Sequence, residues 1–516
     1  MVQHVDTDIL VLGSGGAGLR AAIEAEKQGV KVTVVSKSSA GMMSASVVTN
    51  GYFKVAVGGA TKEEHYRATV DAGKGLSDPE LVKVLVEEGP ERVTELDRFG
   101  VTIQTLRGMA SCGDDPQVRG LGFIQPMVKY LRDRGVEFVD NCIISKLLTD
   151  GDRVIGAVGF KEEPMIFSAK ATVLGTGGCG AIYPRTDCPA TILGDGYSLA
   201  YEAGASLRDM EFTQFVPVGL AEKAHPLVII YGDLVDKGRI LNSEGEDVVA
   251  KYRIMNRPLT TMARDQLSVA MMREILDGRG IDGAVQLDAV QVIKERGLEK
   301  LVAVDAQRKA LIKAGIEEKP IKIAPVSHFT MGGVQIKPDC STGVTGLFAA
   351  GEVTGGVHGA NRIGGNAMTE IIVFGARAGA SAAAYASKQG KPDLKHLFEP
   401  ELREYNRIME NEPLEATLPK LKKLMWAHVG VVRNGQGLSN AIRLMNEQEA
   451  SAQCSGAIKS VDVKGLIETR LAIKTARLVA DSALTREESR GTHFRTDYSE
   501  QLSNWNKPII VKYHNK

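Results

Sequence analysis

Three glycines near the start of the chain, Gly13, Gly15 and Gly18, stand in the order GxGxxG. Before them lies a short apolar run at residues 8–12. After them comes LRAAIEAEKQG, a segment with helical apolar spacing that stops at Gly29. A second strand pattern at residues 30–35 completes a βαβ unit. In such a unit the first glycine permits a tight turn and the second lets backbone approach a pyrophosphate. The third lets helix and strand pack closely, so that the helix N-terminus faces the phosphates. A dinucleotide suits this arrangement. It is not the simple NAD pattern, because Ser36 and Lys37 follow the second strand where an acidic ribose ligand is expected. Two further glycine blocks occur at 175–178 and 346–365. In the later one a strand, Leu347-Phe-Ala-Ala, turns at Gly351 into Glu352, which is suited to accept from ribityl or ribose hydroxyls. Taken singly, Glu352 is equally a carboxylate satisfying a helix N-terminus. Taken together, the three blocks favour a larger cofactor, FAD.

The elements that must hold these blocks can be read in order. An apolar strand at 171–174 runs into Gly175-Thr176-Gly177-Gly178, after two strand-like pieces around the turn in DGDRVIGAVGF. An Ala-rich helical run covers 368–385. Between 216 and 334 charged helices, such as 262–276 and 289–314, alternate with short strands, as in an inserted lid. After 387 the chain is polar and helical, with the boundary at KQGKPDLKH, and from Ser503 helical periodicity fades. The expected fold class is α/β. A Rossmann-type FAD-binding domain (1–215 and 335–386) is interrupted by an α+β capping domain (216–334) and followed by a helical C-terminal domain (387–516).

A chain of 516 residues exceeds the roughly 250–300 at which single cores stop growing, so several domains are expected. Lys+Arg and Asp+Glu both number 63, which leaves no basic surplus for a nucleic acid. The six cysteines form no CxxC pair, so free thiols are expected, with no metal site and no iron–sulfur cluster held by this chain. The N-terminus lacks the sections of a signal peptide, and no apolar run approaches the roughly 20 residues of a membrane span. A cytoplasmic location is the default expectation.

The sequence resembles the flavoprotein subunit family of succinate dehydrogenase, fumarate reductase and L-aspartate oxidase. The matching pieces are DILVLGSGGAGLRAA, VVSK, LGTGGCG, ILGDGYSLAYEAGASLRDMEFTQF, RPLTTMARD, HFTMGGV, LFAAGEVTGGVHGANRIGGNAM and ESRGTHFRTDY, in the family's order along almost the whole chain. The resemblance implies hydride transfer between flavin N5 and a carbon next to a carboxylate. Arg264 matches the arginine that exchanges the proton, and His328 and Arg362 match positions that hold a substrate carboxylate. Read alone, Arg264 would be a solvated helix residue or a partner of Asp265, and His328 a satisfied core histidine. Cofactor contacts are expected from Gly13, Gly15, Gly16, Ala17, Gly18, Ser36, Lys37, Ser44, Gly51, Thr176, Gly177, Asp195, Gly351, Glu352, Asn366 and Ala367. Asn361, Gly364 and Gly365 suit the same crowded face. His358 is the weakest candidate, and Arg490, His493 and Arg495 are expected to be structural.

Three departures from the family pattern bear on function. Where relatives show a QFHPT-like segment, this chain has Gln214-Phe-Val216-Pro-Val218, so a His and a Thr that bind the second carboxylate are valines. Losing two charged hydrogen bonds, each worth about 1.5–3 kcal/mol, disfavours a plain C4 dicarboxylate. Val216 and Val218 are expected to form an apolar wall against the substrate's far end. The EGxRGEG-like stretch becomes Tyr231-Gly-Asp-Leu-Val-Asp-Lys-Gly238, without the Glu and Arg that return the proton, which leaves Asp233, Asp236 or water. No His stands in Ser38-Ser-Ala-Gly-Met-Met-Ser44, so FAD is expected to be non-covalent. A substituted succinate or enoate is therefore the favoured substrate. The alternatives are L-aspartate oxidation, an adenylylsulfate reductase-like role and a non-catalytic electron-transfer subunit. A separate iron–sulfur subunit is a candidate partner.

Overall fold

The computed structural model describes residues 2–113, 115, 117–394, 417–451 and 463–513. The strand Gln3–Leu12 lies at the centre of a seven-stranded sheet. Val32–Val35 flanks it in parallel on one side and Pro164–Leu174 on the other. Glu137–Val139 extends the first edge. Pro164–Leu174 is shared along its length. Its first half pairs antiparallel with Arg153–Phe160, which in turn pairs antiparallel with Ile143–Asp150, and its last residues pair in parallel with Leu347–Ala349. Ile9, Leu10, Val11, Val34, Val173 and Leu174 are buried, as a sheet covered on both faces requires. The strand expected at 171–174 is thus the end of a longer one.

Helix Gly16–Glu26 leaves the first strand and packs on helix Asn366–Ala386. The contact is close because the second helix is rich in small residues. A Cβ at Gly375 would stand 2.8 Å from Ala17 O, and one at Gly379 only 2.2 Å from Ala21 O. The glycine block and the late helix therefore hold each other in place.

Residues between the second and third glycine blocks build a separate four-stranded antiparallel sheet. Its order is Thr213–Leu220, Ile321–Thr330, Val285–Asp288, Arg239–Leu241. Its core includes Val218, Leu234, Ile240, Leu267, Met271, Leu287 and Ile323. The helix expected at 262–276 is shorter, Arg264–Glu274. The one expected at 289–314 is three pieces, Val290–Arg296, Leu298–Leu301 and Asp305–Ala314. Gly297, at φ 80°, makes the first break. Val302 and Val304, both extended, make the second, since their branched side chains suit extended backbone better than helix. Gln117, from outside this unit, clips the second break by bonding Ala303 O and Asp305 N, each at 2.9 Å.

Helices Thr417–His428, Gly435–Ser451 and Val463–Thr485 follow. The tail then returns, and Ile510–Val511 pairs antiparallel with Leu207–Arg208. Arg486 is fully buried between Asp209, Glu211 and Glu488, which ties the helical region to the segment entering Thr213–Leu220. Among the described residues no helix is long and apolar enough to cross a membrane. Five cysteines are free, whereas Cys454 lies outside the described residues, as do Lys395 and His396 of the KQGKPDLKH junction.

Candidate active site

The parallel strands end together. Leu12, Val35, Gly175 and Ala350, at or just past four strand ends, line one cavity of about 1360 Å³. That exceeds the roughly 300–1,000 Å³ of ordinary ligand pockets, and it lies at the carboxyl edge where open α/β sheets bind ligands.

One end of the cavity fits a dinucleotide. Helix Gly16–Glu26 points its N-terminus there, with no side-chain cap at Gly15. Gly13 has φ 105°, and a Cβ on it would fall 2.3 Å from Gly175 O. Three buried oxygens on the wall, Ser44 Oγ, Thr176 Oγ1 and Asp195 Oδ1, have no partner among the described residues. Free buried acceptors and hydroxyls call for a polar ligand, and the hydroxyl-rich FAD meets that need. Glu352 lies against Gly178, where a Cβ would be 2.1 Å from its carboxylate, and it accepts from the Thr330 amide at 3.0 Å. Burial pushes its pKa up to about 7.

Lys37 lines the cavity with its charge already paired. Its ammonium bonds Thr191 O at 2.6 Å, Asp195 at 2.7 Å and Glu468 at 2.9 Å. Burial works against its charge, but the two carboxylates outweigh it and the pKa lies above the ordinary value. Lys37 thereby fastens the cavity floor to helix Val463–Thr485. Ser36 Oγ accepts from Ser14 Oγ at 2.8 Å.

Of the residues expected at the cofactor, Gly13, Gly15, Gly16, Ala17, Ser36, Lys37, Ser44, Thr176, Gly177, Asp195, Glu352 and Ala367 line the cavity. Gly18, Gly51, Gly351 and Asn366 are not on its wall, and each has a packing reason. A Cβ on Gly18 would strike Gly13 O at 2.0 Å, one on Gly351 would meet Ala17 Cβ at 2.8 Å, and one on Gly51 would meet Cys112 Sγ at 2.5 Å. The Asn366 carboxamide is taken by His65 Nε2 at 2.7 Å and Thr69 Oγ1 at 2.9 Å.

At the other end Arg264, His328 and Arg362 come together on the wall. Arg264 opens helix Arg264–Glu274, and its Nε donates to Thr260 O at 3.0 Å. Its Nη1 donates to Gln214 Oε1 at 2.7 Å, and Arg362 Nη2 donates to the same oxygen at 3.0 Å. Gln214 is fixed in turn, since its Nε2 donates to Asn361 Oδ1 at 2.8 Å and Arg362 O at 2.9 Å. The Arg362 guanidinium lies over the Phe329 ring, 4.4 Å from its centroid. Neither arginine forms a salt bridge among the described residues. Burial lowers the Arg264 pKa. Burial, with Arg264 adding to it, brings Arg362 down to about 10. Two buried cations that no carboxylate pairs directly, with Asp187, Asp265 and Glu352 acting on them from beyond salt-bridge reach, make a site for an anion. His328 Nδ1 meets Asp187 Oδ2 at 2.7 Å, and burial lowers the ring's pKa despite that carboxylate.

Several expectations fail here. Val216 and Val218 are buried and form no wall of the cavity, and Val218 belongs to the core of the antiparallel unit. Bulges between Gln214 and Phe215 and between Val216 and Gly219 break the strand's alternation, so side chains two apart do not share a face. Leu227, Val228 and Ile229, close to Tyr231 in sequence, do line the cavity. Asp233 and Asp236 are engaged elsewhere. Asp233 pairs with Arg296 and Lys237, and Asp236 accepts from the Leu259 amide at 2.6 Å. Asp187, Asp265 and Tyr231 line the cavity instead, and burial pushes the Tyr231 phenol up to about 12. His358 bonds Glu370 at 2.9 Å, away from the cavity wall. Arg490 pairs with Glu488, His493 with Arg433 and Arg495 with Asp497, all outside the cavity. Gln214 lies in a family-like stretch, FTQF, yet an amide there gives no sign of two arginines arriving from elsewhere. Asp187 carries no signal beyond a short polar loop, RTDCP, whose meeting with His328 is made only by the fold.

Comparison with known proteins agrees with this geometry. Residues 8–368 match the family described as FAD binding domain, and 419–516 match fumarate reductase flavoprotein C-term. The chain is 34% identical to a fumarate reductase (CoM/CoB) polypeptide of Methanothermobacter marburgensis, over 98% of this chain and 97% of that one. It is 32% identical to L-aspartate oxidase of Caulobacter vibrioides, over 95% and 93%. It superposes on E. coli quinol fumarate reductase with TM-score 0.88 and 25% identity, over 98% and 94%. The chain belongs to the fumarate reductase and succinate dehydrogenase flavoprotein family and is an FAD-dependent oxidoreductase.

Proposed function

We propose that this flavoprotein reduces or forms a carbon–carbon double bond next to a carboxylate, on an acid that carries an apolar substituent. Residues 1–215 and 335–386 hold FAD without a covalent bond, 216–334 cap it, and 387–516 brace both. FAD supplies hydride chemistry at N5. The protein's own part rests on one observation, the two guanidiniums meeting at Gln214 Oε1 with no carboxylate between them.

Arg362 grips the substrate carboxylate, and His328 adds a contact beside it. Arg264 exchanges the proton at the substrate carbon. Guanidinium groups resist deprotonation in water, but burial lowers the Arg264 pKa against the pull of Tyr231, Asp187 and Asp265. Tyr231, Asp265 and Asp187 are the groups on the wall through which a proton can return, joined by water. Leu227, Val228 and Ile229 exclude water and suit an alkyl or aryl substituent better than a second carboxylate. An iron–sulfur subunit is the proposed electron partner, since among the described residues no cluster of ligands could hold a metal.

The test is turnover with a reduced dye on fumarate, 2-methylfumarate and longer alkyl enoates. A substituted acid with the highest kcat/KM supports the reading. Fumarate ahead of all of them by a wide margin would overturn its substrate half. Peroxide formed on adding L-aspartate would favour aspartate oxidation instead. Acid precipitation should release the flavin into the supernatant, and flavin left on the polypeptide would contradict non-covalent binding.

A further inference from the structure

His328 shares the cavity wall with Arg362 and is paired with Asp187. Asp187 Oδ2 stands 2.7 Å from His328 Nδ1. A carboxylate oxygen can only accept, so Nδ1 carries the hydrogen. In the neutral ring Nε2 is then a lone pair. A substrate carboxylate also brings only lone pairs, so the neutral tautomer fixed by Asp187 repels the group it is meant to hold. The contact becomes attractive only when Nε2 gains a proton.

The backbone leaves Asp187 little choice of position. Its amide donates to Ser327 O at 3.2 Å, and Ser327 N donates to Arg185 O at 2.9 Å, so the loop is stitched to the strand that carries His328. The charged groups acting on the ring come from three elements: Asp187 on this loop, Arg264 on its helix and Arg362 ahead of the late helix. Cys188 on this loop, Tyr231 before the short helix Asp233–Asp236 and Glu352 after its strand act in turn on Asp187. The two arginines oppose protonation of the empty site. A bound anion placed between them and His328 cancels that opposition.

We propose that Asp187 is a positioning residue that makes capture of the acid proton-coupled: His328 takes one proton from solvent onto Nε2 as the substrate carboxylate binds, and returns it when the product leaves. No bond to carbon forms or breaks in this step, and no electron moves. The proton enters with the anion, so the pair arrives neutral in a site already rich in positive charge. Burial, which holds the free ring's pKa below its ordinary value, agrees with a ring that is neutral until the anion arrives.

This rests on the carboxylate site proposed above, and the experiment separates the two. Oxidised holoenzyme cannot turn over 2-methylfumarate without an electron donor, so its binding can be followed by flavin absorbance and by calorimetry. Calorimetry in phosphate and in Tris, whose ionisation heats differ, counts protons. The wild type is expected to take up close to one proton per ligand near pH 7, with Kd rising up to about tenfold per pH unit above it. Asp187→Asn keeps an acceptor for Nδ1 but loses the charge. It should bind about tenfold more weakly at pH 7, with its pH dependence moved to lower pH. His328→Gln should bind without proton uptake. Binding by the wild type with no proton uptake at any pH would overturn the proposal, as would an unchanged pH profile in Asp187→Asn. Should Asp187→Asn fail to fold, the wild-type count and His328→Gln still decide. Absence of binding in the wild type, equal to that in Arg362→Met, would instead remove the carboxylate site and this proposal with it.

Discussion

Arg264 and Arg362 donate to one oxygen, Gln214 Oε1, at 2.7 and 3.0 Å. They come from different parts of the chain, one from the helix of the antiparallel unit and one from the late glycine block. A neutral amide at their meeting point keeps them together without quenching their charge. The affinity for acids proposed for the site follows from that choice of residue.

Gln214→Glu tests it. A buried carboxylate there would pair with both arginines and compete with substrate. Charged hydrogen bonds of about 1.5–3 kcal/mol each would be diverted. Steady-state kinetics should show kcat/KM lower by about 100-fold, while Tm stays or rises. A Tm loss with kcat/KM unchanged would contradict the role given to the amide.

Substrate preference should move with the apolar wall. Leu227 is partly exposed and lines the cavity beside Val228 and Ile229. Leu227→Asn removes an apolar contact worth about 1 kcal/mol. KM for alkyl-substituted enoates should rise about fivefold, with little change for fumarate. Equal effects on both would place the substituent elsewhere.

Lys37 joins the cavity wall at Asp195 to Glu468 on helix Val463–Thr485. Lys37→Met strands two partly buried carboxylates at a cost of about 2–3 kcal/mol. Thermal denaturation should show a lower Tm, and the purified protein should carry less flavin. Normal flavin content with an unchanged Tm would show that the bridge does not brace the cavity.

Acid should weaken the capping unit first at Glu274. This fully buried carboxylate accepts from Arg279, Asn242, Tyr252 and Lys251, and Arg279 above all holds its pKa below the ordinary range. The folded pKa is lower than the unfolded value of about 4.3, so the stabilisation is present above that pH. It is lost as pH falls below it. Tm measured from pH 7 to 3 should fall at the acid end. Glu274→Gln should start lower and fall less steeply, and parallel curves would refute the assignment.

Much of this is legible in the chain because it depends on local pattern. The GxGxxG turn, its flanking strands and the Ala-rich helix are set by periodicity and by backbone that tolerates no Cβ. The antiparallel unit and its separate core follow from the change of pattern after the second glycine block. The wall of the site is not legible. Counting along a strand puts Val216 and Val218 in it, and two bulges turn them inward. Asp187 and His328 lie far apart in sequence, and Gln214 gains its meaning only from two arginines that the fold delivers from opposite directions. Gly18, Gly51, Gly351 and Asn366 show the same limit, since close packing and ligand contact both demand small or amide residues.

The central claim is that both arginines meet one bound acid, Arg362 at its carboxylate and Arg264 at the carbon beside it. A double-mutant cycle on 2-methylfumarate binding, with Arg264→Gln, Arg362→Met and the pair, measures it directly through flavin absorbance. Shared contact predicts that the two losses do not add, with a coupling above about 1 kcal/mol. Strictly additive losses, or a Kd that neither substitution moves, would contradict it.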